Sequence, residues 1–342
     1  MALKGEKAWG IYLLCSVIFS AVLHVVFYHF FLCNNPCRLM FDAGHYHAMA
    51  SDLLKYGLFC DGAGNYYFYR LPVYPIFLAA SYWLGGINAV MIIQSLLSLL
   101  ISVLCFFIAR EFGFGDKIAL WGAFFTGVHP GFLIFSGLVM TEILFTFFFL
   151  LSFFLLMRES GWRKKQSKFL LLIAGICLGL ASLTRAVVGF PLLICTLFVV
   201  LILSHGLLRE KIIGSFTLAF GWISVISIWC VRNYLLTGYI FLQAFSGNHC
   251  INHGAVPVVM RSQGCSYAQA RDSVYADLCH DHFIATQKKQ DCLDQVEKCF
   301  VAQATAAKIM LCHPYALMHH SIINMIKTLC GLYSSELLVI DS

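Results

Sequence analysis

Apolar and polar positions in this chain fall into long blocks rather than single alternations. The first apolar run extends from Trp9 to Leu32. It is too long for a cleaved leader and has no small-residue cleavage site, so it predicts a retained membrane span. Further apolar runs cover 87–108, 117–139, 143–157, 169–183, 187–203 and 212–234, the second of these bent at His129-Pro130. They approach the roughly 20 residues that a helix needs to cross a bilayer. Between the first run and the next lies FDAGHYHAMASDLLKYGLFCDGAGNYYFYRLPVYP, from Phe41 to Pro75. Within it Met49, Leu53, Leu54 and Leu58 recur at helical spacing, with Asp52 and Lys55 off the stripe, which predicts an interfacial helix. Gly57, Gly62 and Gly64 break it. The segment 73–84 is too short to cross and ends at Gly85-Gly86. After Arg232 the pattern turns polar. No spanning run occurs in 237–314, although 266–278 and 291–309 have helical periodicity, and a last apolar segment, 315–333, is interrupted by His319, His320, Asn324 and Lys327.

These blocks predict an all-α, polytopic transmembrane bundle. It comprises a membrane module over 1–236 with a first external loop at 33–86, an external Cys-rich helical region over 237–314, and a membrane or interfacial segment over 315–342. Composition agrees. The 342 residues are 60% hydrophobic and 12% charged, with mean hydropathy +0.80, whereas a soluble domain is about 25% charged. The net charge of +6 does not point to nucleic acid, because the basic residues sit in short loops between apolar runs. Lys4 and Lys7 put the N-terminus in the cytoplasm. If 73–84 does not cross, then Arg110, Lys117, Arg158, Arg163, Lys164, Lys165, Lys168, Arg209 and Lys211 also fall inside. If it does cross, the Arg163-Lys164-Lys165 run falls outside. The segment is therefore read as re-entrant or interfacial. Nine of the 15 cysteines then lie outside: Cys33, Cys37, Cys60, Cys250, Cys265, Cys279, Cys292, Cys299 and Cys312. That distribution suits disulfides in an oxidising compartment.

On this topology costly groups converge on the outer face. Asp42 follows the first span, and Thr141-Glu142 opens another. Arg70 precedes the short segment, Arg185 ends a span, and Arg232 lies near the outer end of the last. Charges beside apolar spans mark functional sites. Carboxylates can take a proton or hold a metal, and arginines bind phosphate bidentately. The histidine pairs His45/His47, His280/His282 and His319/His320 have no zinc-type spacing, and no CxxC, GxGxxG or P-loop occurs.

The run Asp42-Ala43-Gly44-His45-Tyr46, then Ala50, Leu53-Leu54 and Gly57, then Arg70-Leu71-Pro72-Val73-Tyr74-Pro75, resembles the first external loop of the GT-C glycosyltransferases. The likeness is to the bacterial branch of glycosyltransferase family 39, related to protein O-mannosyltransferases and to the lipid A aminoarabinose transferase. Thr141-Glu142, Leu183-Thr184-Arg185 and Arg232-Asn233-Tyr234 with Gly238 follow in the family's order, so the likeness covers roughly residues 9 to 240. The resemblance implies transfer of a sugar from a polyprenyl-phosphate-linked donor to a lipid, glycan or protein acceptor on the external face, with inversion. It implies Asp42 as general base and Glu142 as the second acid, which positions acceptor or metal. Arg70, Arg185 and Arg232 would bind the donor phosphate, and His45, Tyr46, Tyr69 and Tyr74 would line the substrate pocket. The resemblance makes no cofactor certain and leaves a divalent metal open. A divalent ion, Mg or Mn, would use Asp42 and Glu142. The setting it implies is a bacterial inner membrane with the site on the periplasmic side. Relatives run on through further spans, whereas this sequence closes at Ser342; by the resemblance it is a compact variant or lacks acceptor-side apparatus. A transporter or flippase of lipid-linked sugars is the alternative reading, along with a non-catalytic scaffold. A transporter predicts paired broken helices in two similar halves, a pattern not evident in the sequence.

Overall fold

A computed structural model describes residues 2–32, 42–60, 62, 64–160, 167–185, 193–194, 196–198, 207–243, 250–289 and 294–329. The chain divides into two units, Met1–Tyr67 with Leu71–Leu242, and Phe68–Arg70 with Gln243–Ser342. Both are helical, as the apolar blocks predict; an isolated β-bridge joins Cys60 to Tyr66.

In the first unit α1 (Ala2–Phe27) continues into a π-helical turn, Tyr28–Leu32. Helix α2 (Ala43–Tyr56) stops at Gly57, whose φ of 70° lets its N–H return to the Leu53 carbonyl. Its buried face is Ala43, Tyr46, Met49, Ala50 and Asp52. Of the hydropathy stripe read as interfacial, Met49 is buried here and Leu54 and Leu58 point outward. The small alanines let the helix seat closely on its neighbour, a feature that a stripe of large residues does not report.

Helix α3 (Val73–Glu111) leaves helical geometry at Gly85 (φ 177°, ψ 26°) and Gly86 (φ 68°, ψ −153°). The Tyr74 hydroxyl donates to Gln94 Oε1 at 2.8 Å. In an unbroken helix these residues would stand about 30 Å apart. The two arms, 73–84 and 87–111, therefore fold back on each other as a hairpin. Next come α4 (Asp116–Gly127) and α5 (Pro130–Ser136), bent 46° from each other. The bend lies at the expected place, where the His129 side chain accepts the Gly131 N–H at 3.1 Å and Pro130 opens the helix. Helices α6 (Glu142–Ser160), α7 (Lys168–Thr184) and α8 (Leu208–Thr237) complete the unit. Among the described residues Trp9–Phe30, Val73–Glu111 and Leu208–Thr237 are long and apolar enough to cross a membrane, and α4 with α5 is a fourth if taken as one span. The predicted span over 187–203 lies mostly outside the described residues.

Side-chain contacts set the direction of each helix. Trp9 stacks on Phe106 at 5.2 Å and Tyr28 reaches Asn88 at 2.8 Å, so α1 runs antiparallel to 87–111. Ser20 donates to the Gly127 carbonyl and Leu13 packs with Ala119 and Ala123, so α4 runs parallel to α1. Phe153 and Phe154 near the end of α6 meet Phe112 and Phe107. Ser152 bonds the Ala174 carbonyl at 2.8 Å, so α7 returns along α6. Helices α7 and α8 run parallel through glycines. A Cβ on Gly175 would lie 2.1 Å from the Leu218 carbonyl oxygen, and one on Gly221 2.4 Å from that of Leu172. Backbones approach this closely only where side chains are absent. As a result, Arg110, Lys117, Arg158, Lys168 and Arg209 gather at the bundle end that holds the start of α1, and Glu142 and Arg185 lie at the opposite end.

The second unit contains a π-helical turn, Cys250–Ala255, and helices α9 (Val256–Gln263), α10 (Tyr267–Lys289), α11 (Gln295–Cys312) and α12 (Pro314–Leu329). The two helical periodicities read in this region fall on α10 and α11. Asp294 and Glu297 close a capping box at the start of α11. Ile251, Val256, Val259, Ala270, Val274, Ala302 and Ala306 form the core. The expected disulfides do not occur among the described residues: Cys60, Cys250, Cys265, Cys279, Cys299 and Cys312 are thiols. Cys279 and Cys312 are exposed whereas Cys250 and Cys299 are at least half-buried, a separation that spacing along the chain does not encode. Cys33, Cys37 and Cys292 lie outside the described residues.

Candidate active site at the helix ends

Glu142 is the first residue of α6, where the helix dipole favours a negative charge. Arg185 follows the last turn of α7 in extended conformation (φ −146°), its N–H held by the Ala181 carbonyl at 3.1 Å. The antiparallel packing of α6 on α7 brings the two together, and Arg185 Nη1 donates to Glu142 Oε1 at 2.6 Å. The side chains keep 41% and 21% of their exposure, so the pair contributes no more than about 1 kcal/mol to stability. What it provides is placement. Glu142 Oε2 is buried and has no hydrogen-bond partner among the described residues. A guanidinium carries five donors, and among the described residues one Arg185 nitrogen is engaged by Glu142.

Asp42 stands at the N-cap of α2. Its carbonyl accepts the N–H groups of His45 (3.1 Å) and Tyr46 (3.3 Å), and its carboxylate does not cap the helix. Ala43 and Tyr46 share one buried cluster with Tyr74, Leu78, Val139 and Leu144. The start of α2 and the start of α6 therefore pack into the same core, with one acid at the mouth of each helix.

The remaining predicted residues divide. His45 stacks on Tyr67 with ring centroids 5.9 Å apart, and its Nδ1 lies 3.2 Å from the Tyr67 hydroxyl. Tyr46 is 8% exposed and Tyr74 is fully buried; they meet edge to face at 5.1 Å within that buried cluster. Arg232 donates to Asn233 Oδ1 (2.9 Å) and the Phe59 carbonyl (3.4 Å), and its guanidinium lies 4.6 Å from the Trp229 ring and 5.7 Å from that of Tyr66. It ties the first loop to α8. Tyr69 and Arg70 belong to the second unit, where the Tyr69 carbonyl accepts from Gln243 and its hydroxyl lies 3.9 Å from Cys299 Sγ.

Two polar residues escape a reading of the sequence. Asp52 is buried and accepts the Gly62 N–H at 2.7 Å, which folds the glycine-rich part of the loop back onto α2. Gln94 is fully buried beneath the strand of backbone that leads to Glu142. Its isolation within an apolar run was the available signal. Among the described residues no group of three or more His, Cys, Asp and Glu side chains is gathered for a metal. Asp42 and Glu142 are the carboxylates that a divalent ion would use, and Arg185 already neutralises one oxygen of Glu142.

Apolar helices of spanning length, with a carboxylate–guanidinium pair at one end of the bundle, define an integral, polytopic membrane protein with a charged site at its helix ends. The chain belongs to the dolichyl-phosphate-mannose-protein mannosyltransferase family, whose pattern matches residues 17–246. It is thus a membrane glycosyltransferase of GT-C type that draws on a lipid-linked sugar donor. The match covers the first unit from within α1 onward and ends where the second begins. No curated protein and no solved structure matches the chain.

Proposed function

We propose that the enzyme moves a sugar, of which mannose is the first candidate, from a polyprenyl phosphate to an acceptor at the external membrane face, with inversion at the anomeric carbon. The observation that carries this reading is the Glu142–Arg185 pair, a cation and a half-satisfied acid held at the end of the bundle opposite its basic residues. An acceptor hydroxyl attacks the anomeric carbon while the bond from that carbon to the phosphate oxygen breaks. Asp42 takes the hydroxyl proton, and the polyprenyl phosphate departs with the electron pair. Arg185 offsets the charge that grows on the leaving phosphate. Glu142 orients Arg185 through Oε1. The clustering of Arg110, Lys117, Arg158, Lys168 and Arg209 at the far end supports a cytoplasmic N-terminus and an outward-facing site.

The test uses purified full-length protein in proteoliposomes with polyprenyl-phosphate mannose and cell-envelope acceptors. Wild type transfers the sugar, and Asp42→Asn loses about 10²–10⁴-fold, the range expected for removal of a general base. Passage of the intact donor across the bilayer without transfer would replace this reading with a flippase.

A further inference from the structure

We propose that Gln94, with Tyr74, is the positioning residue that fixes Glu142 in the site. The inference rests on the reading of Glu142 as a working carboxylate. Gln94 lies in the 87–111 arm of α3 and is completely buried. Its Oε1 accepts the Tyr74 hydroxyl from the other arm of the hairpin at 2.8 Å. Its amide nitrogen donates to the carbonyls of Leu138 (2.7 Å), Ser136 (3.1 Å) and Phe135 (3.4 Å). Both ends of one side chain are thus used, one on the hairpin and the other on the connection between α5 and α6.

That connection needs such a residue. A helix leaves its last four carbonyls without intrahelical donors, and α5 is only seven residues long. Each of those carbonyls is accounted for. The Ser136 hydroxyl serves Leu133 at 2.9 Å, the Gly137 N–H serves Ile134 at 3.0 Å, and Gln94 serves Phe135 and Ser136. Gln94 then reaches two residues further, to Leu138, whose carbonyl also receives the Met140 N–H at 2.9 Å. From Leu138 only Val139, Met140 and Thr141 remain before Glu142. Val139 is fully buried against the same cluster as Tyr74, and Thr141 is 5% exposed with its carbonyl bound to the Phe145 N–H. No slack is left between the Gln94 amide and the acid. The glycine hairpin supplies Tyr74, the apolar run supplies Gln94, and together they set where α6 begins.

An alternative is that Gln94 only satisfies backbone and that any buried hydrogen bond in α3 would matter equally. Ser98 provides the comparison. It lies one turn further along α3, is as buried, and bonds His24 Nε2 at 3.1 Å, away from the α5–α6 connection.

The experiment measures hydrogen exchange and sugar transfer on the full chain in nanodiscs, for wild type, Gln94→Leu, Tyr74→Phe and Ser98→Ala. Gln94→Leu is expected to speed exchange of the amides at 137–142 by about tenfold or more, because their local closed state loses its anchor. Transfer from polyprenyl-phosphate mannose should fall by about 10–100-fold in kcat with KM for the donor changed far less, as misplacement of a positioned group predicts. Tyr74→Phe moves the same peptides by a smaller factor, and Ser98→Ala leaves both readouts near wild type. Unchanged exchange at 137–142 in Gln94→Leu overturns the inference, as does equal acceleration in Ser98→Ala. Should Gln94→Leu not fold, unchanged exchange in Tyr74→Phe overturns it. Exchange is read without turnover, so a failure of the positioning role is separate from a failure of the Glu142 role, which Glu142→Gln tests by transfer alone.

Discussion

Arg185 is where single-residue chemistry is most exposed to test. Its fork holds Glu142 through one nitrogen, and the function proposed above gives its other edge to the donor phosphate. Arg185→Lys keeps the charge and loses the fork. Transfer should fall by about 10–100-fold, with most of the loss in kcat, since the donor phosphate gains charge in the transition state. Steady-state assays at several donor concentrations would show it, and a loss confined to KM would count against the role. Asp52 makes a different kind of prediction. Asp52→Ala leaves the Gly62 N–H without its acceptor and should destabilise the first loop by about 1–3 kcal/mol, whereas Asp52→Asn keeps an acceptor and should be near neutral. Limited proteolysis at 57–65 distinguishes the two variants. In the second unit, burial, and after it the neighbouring Cys299, raise the pKa of the Cys250 thiol. A thiol with a raised pKa stays protonated further into alkaline pH, so alkylation of Cys250 should keep gaining speed as the pH is raised well into the alkaline range. Mass spectrometry of Cys250 adducts after timed alkylation at about pH 6 to pH 10 would read this, and a rate that levels off near neutral pH would count against it.

Among the helices, two contacts govern whether the site ends meet. The first is the glycine seam between α7 and α8. A Cβ on Gly175 would collide with backbone, not with a side chain that can rotate away, so Gly175→Ala must push the helices apart. The cost should be about 1–3 kcal/mol, read as a lower midpoint of thermal unfolding in detergent. Arg185 at the end of α7 should lose its register with Glu142 in the same variant. The second is the α3 hairpin. Gly86 occupies a φ, ψ combination that is nearly restricted to glycine, while Gly85 is extended and open to any residue. Gly86→Ala should therefore cost of order 1–3 kcal/mol and Gly85→Ala much less. Equal effects from the two would remove the conformational explanation. The break itself was legible, since two adjacent glycines end an apolar segment too short to cross. The re-entrant reading allowed the segment to turn back, but which residues pair across the hairpin was not legible, because nothing local records the Tyr74–Gln94 contact, which joins residues on separate arms.

Across the whole chain, charge and hydropathy organise the first unit along one axis. Basic residues mark one end, and the Glu142–Arg185 pair marks the other. A protease site placed in the exposed 112–115 turn and another placed at 62–65 should be cut from opposite faces of sealed proteoliposomes. Cleavage of both from one face would remove the orientation proposed above. Most of the second unit, from 247 onward, lies beyond the family match, so its part in acceptor choice has to be established separately. Substitution of Tyr69 or Arg70, residues that join that unit, would measure its part in transfer.

The resemblance carried by the Asp42-to-Pro75 pattern supplied the enzyme reading and the roles of its acids and arginines, whereas apolar block length and the clustering of basic residues were enough to predict an all-helical membrane protein with charged groups at its helix ends. These properties follow from the one-dimensional cost of placing polar groups in lipid. Which nominees meet depended on helix rotation and packing. Glu142 found Arg185 because α6 and α7 lie antiparallel, Arg232 was drawn to Phe59 and Trp229, and Arg70 joined a different unit. Gln94 became the anchor of the acidic loop only because a pair of glycines turned a single helix back on itself.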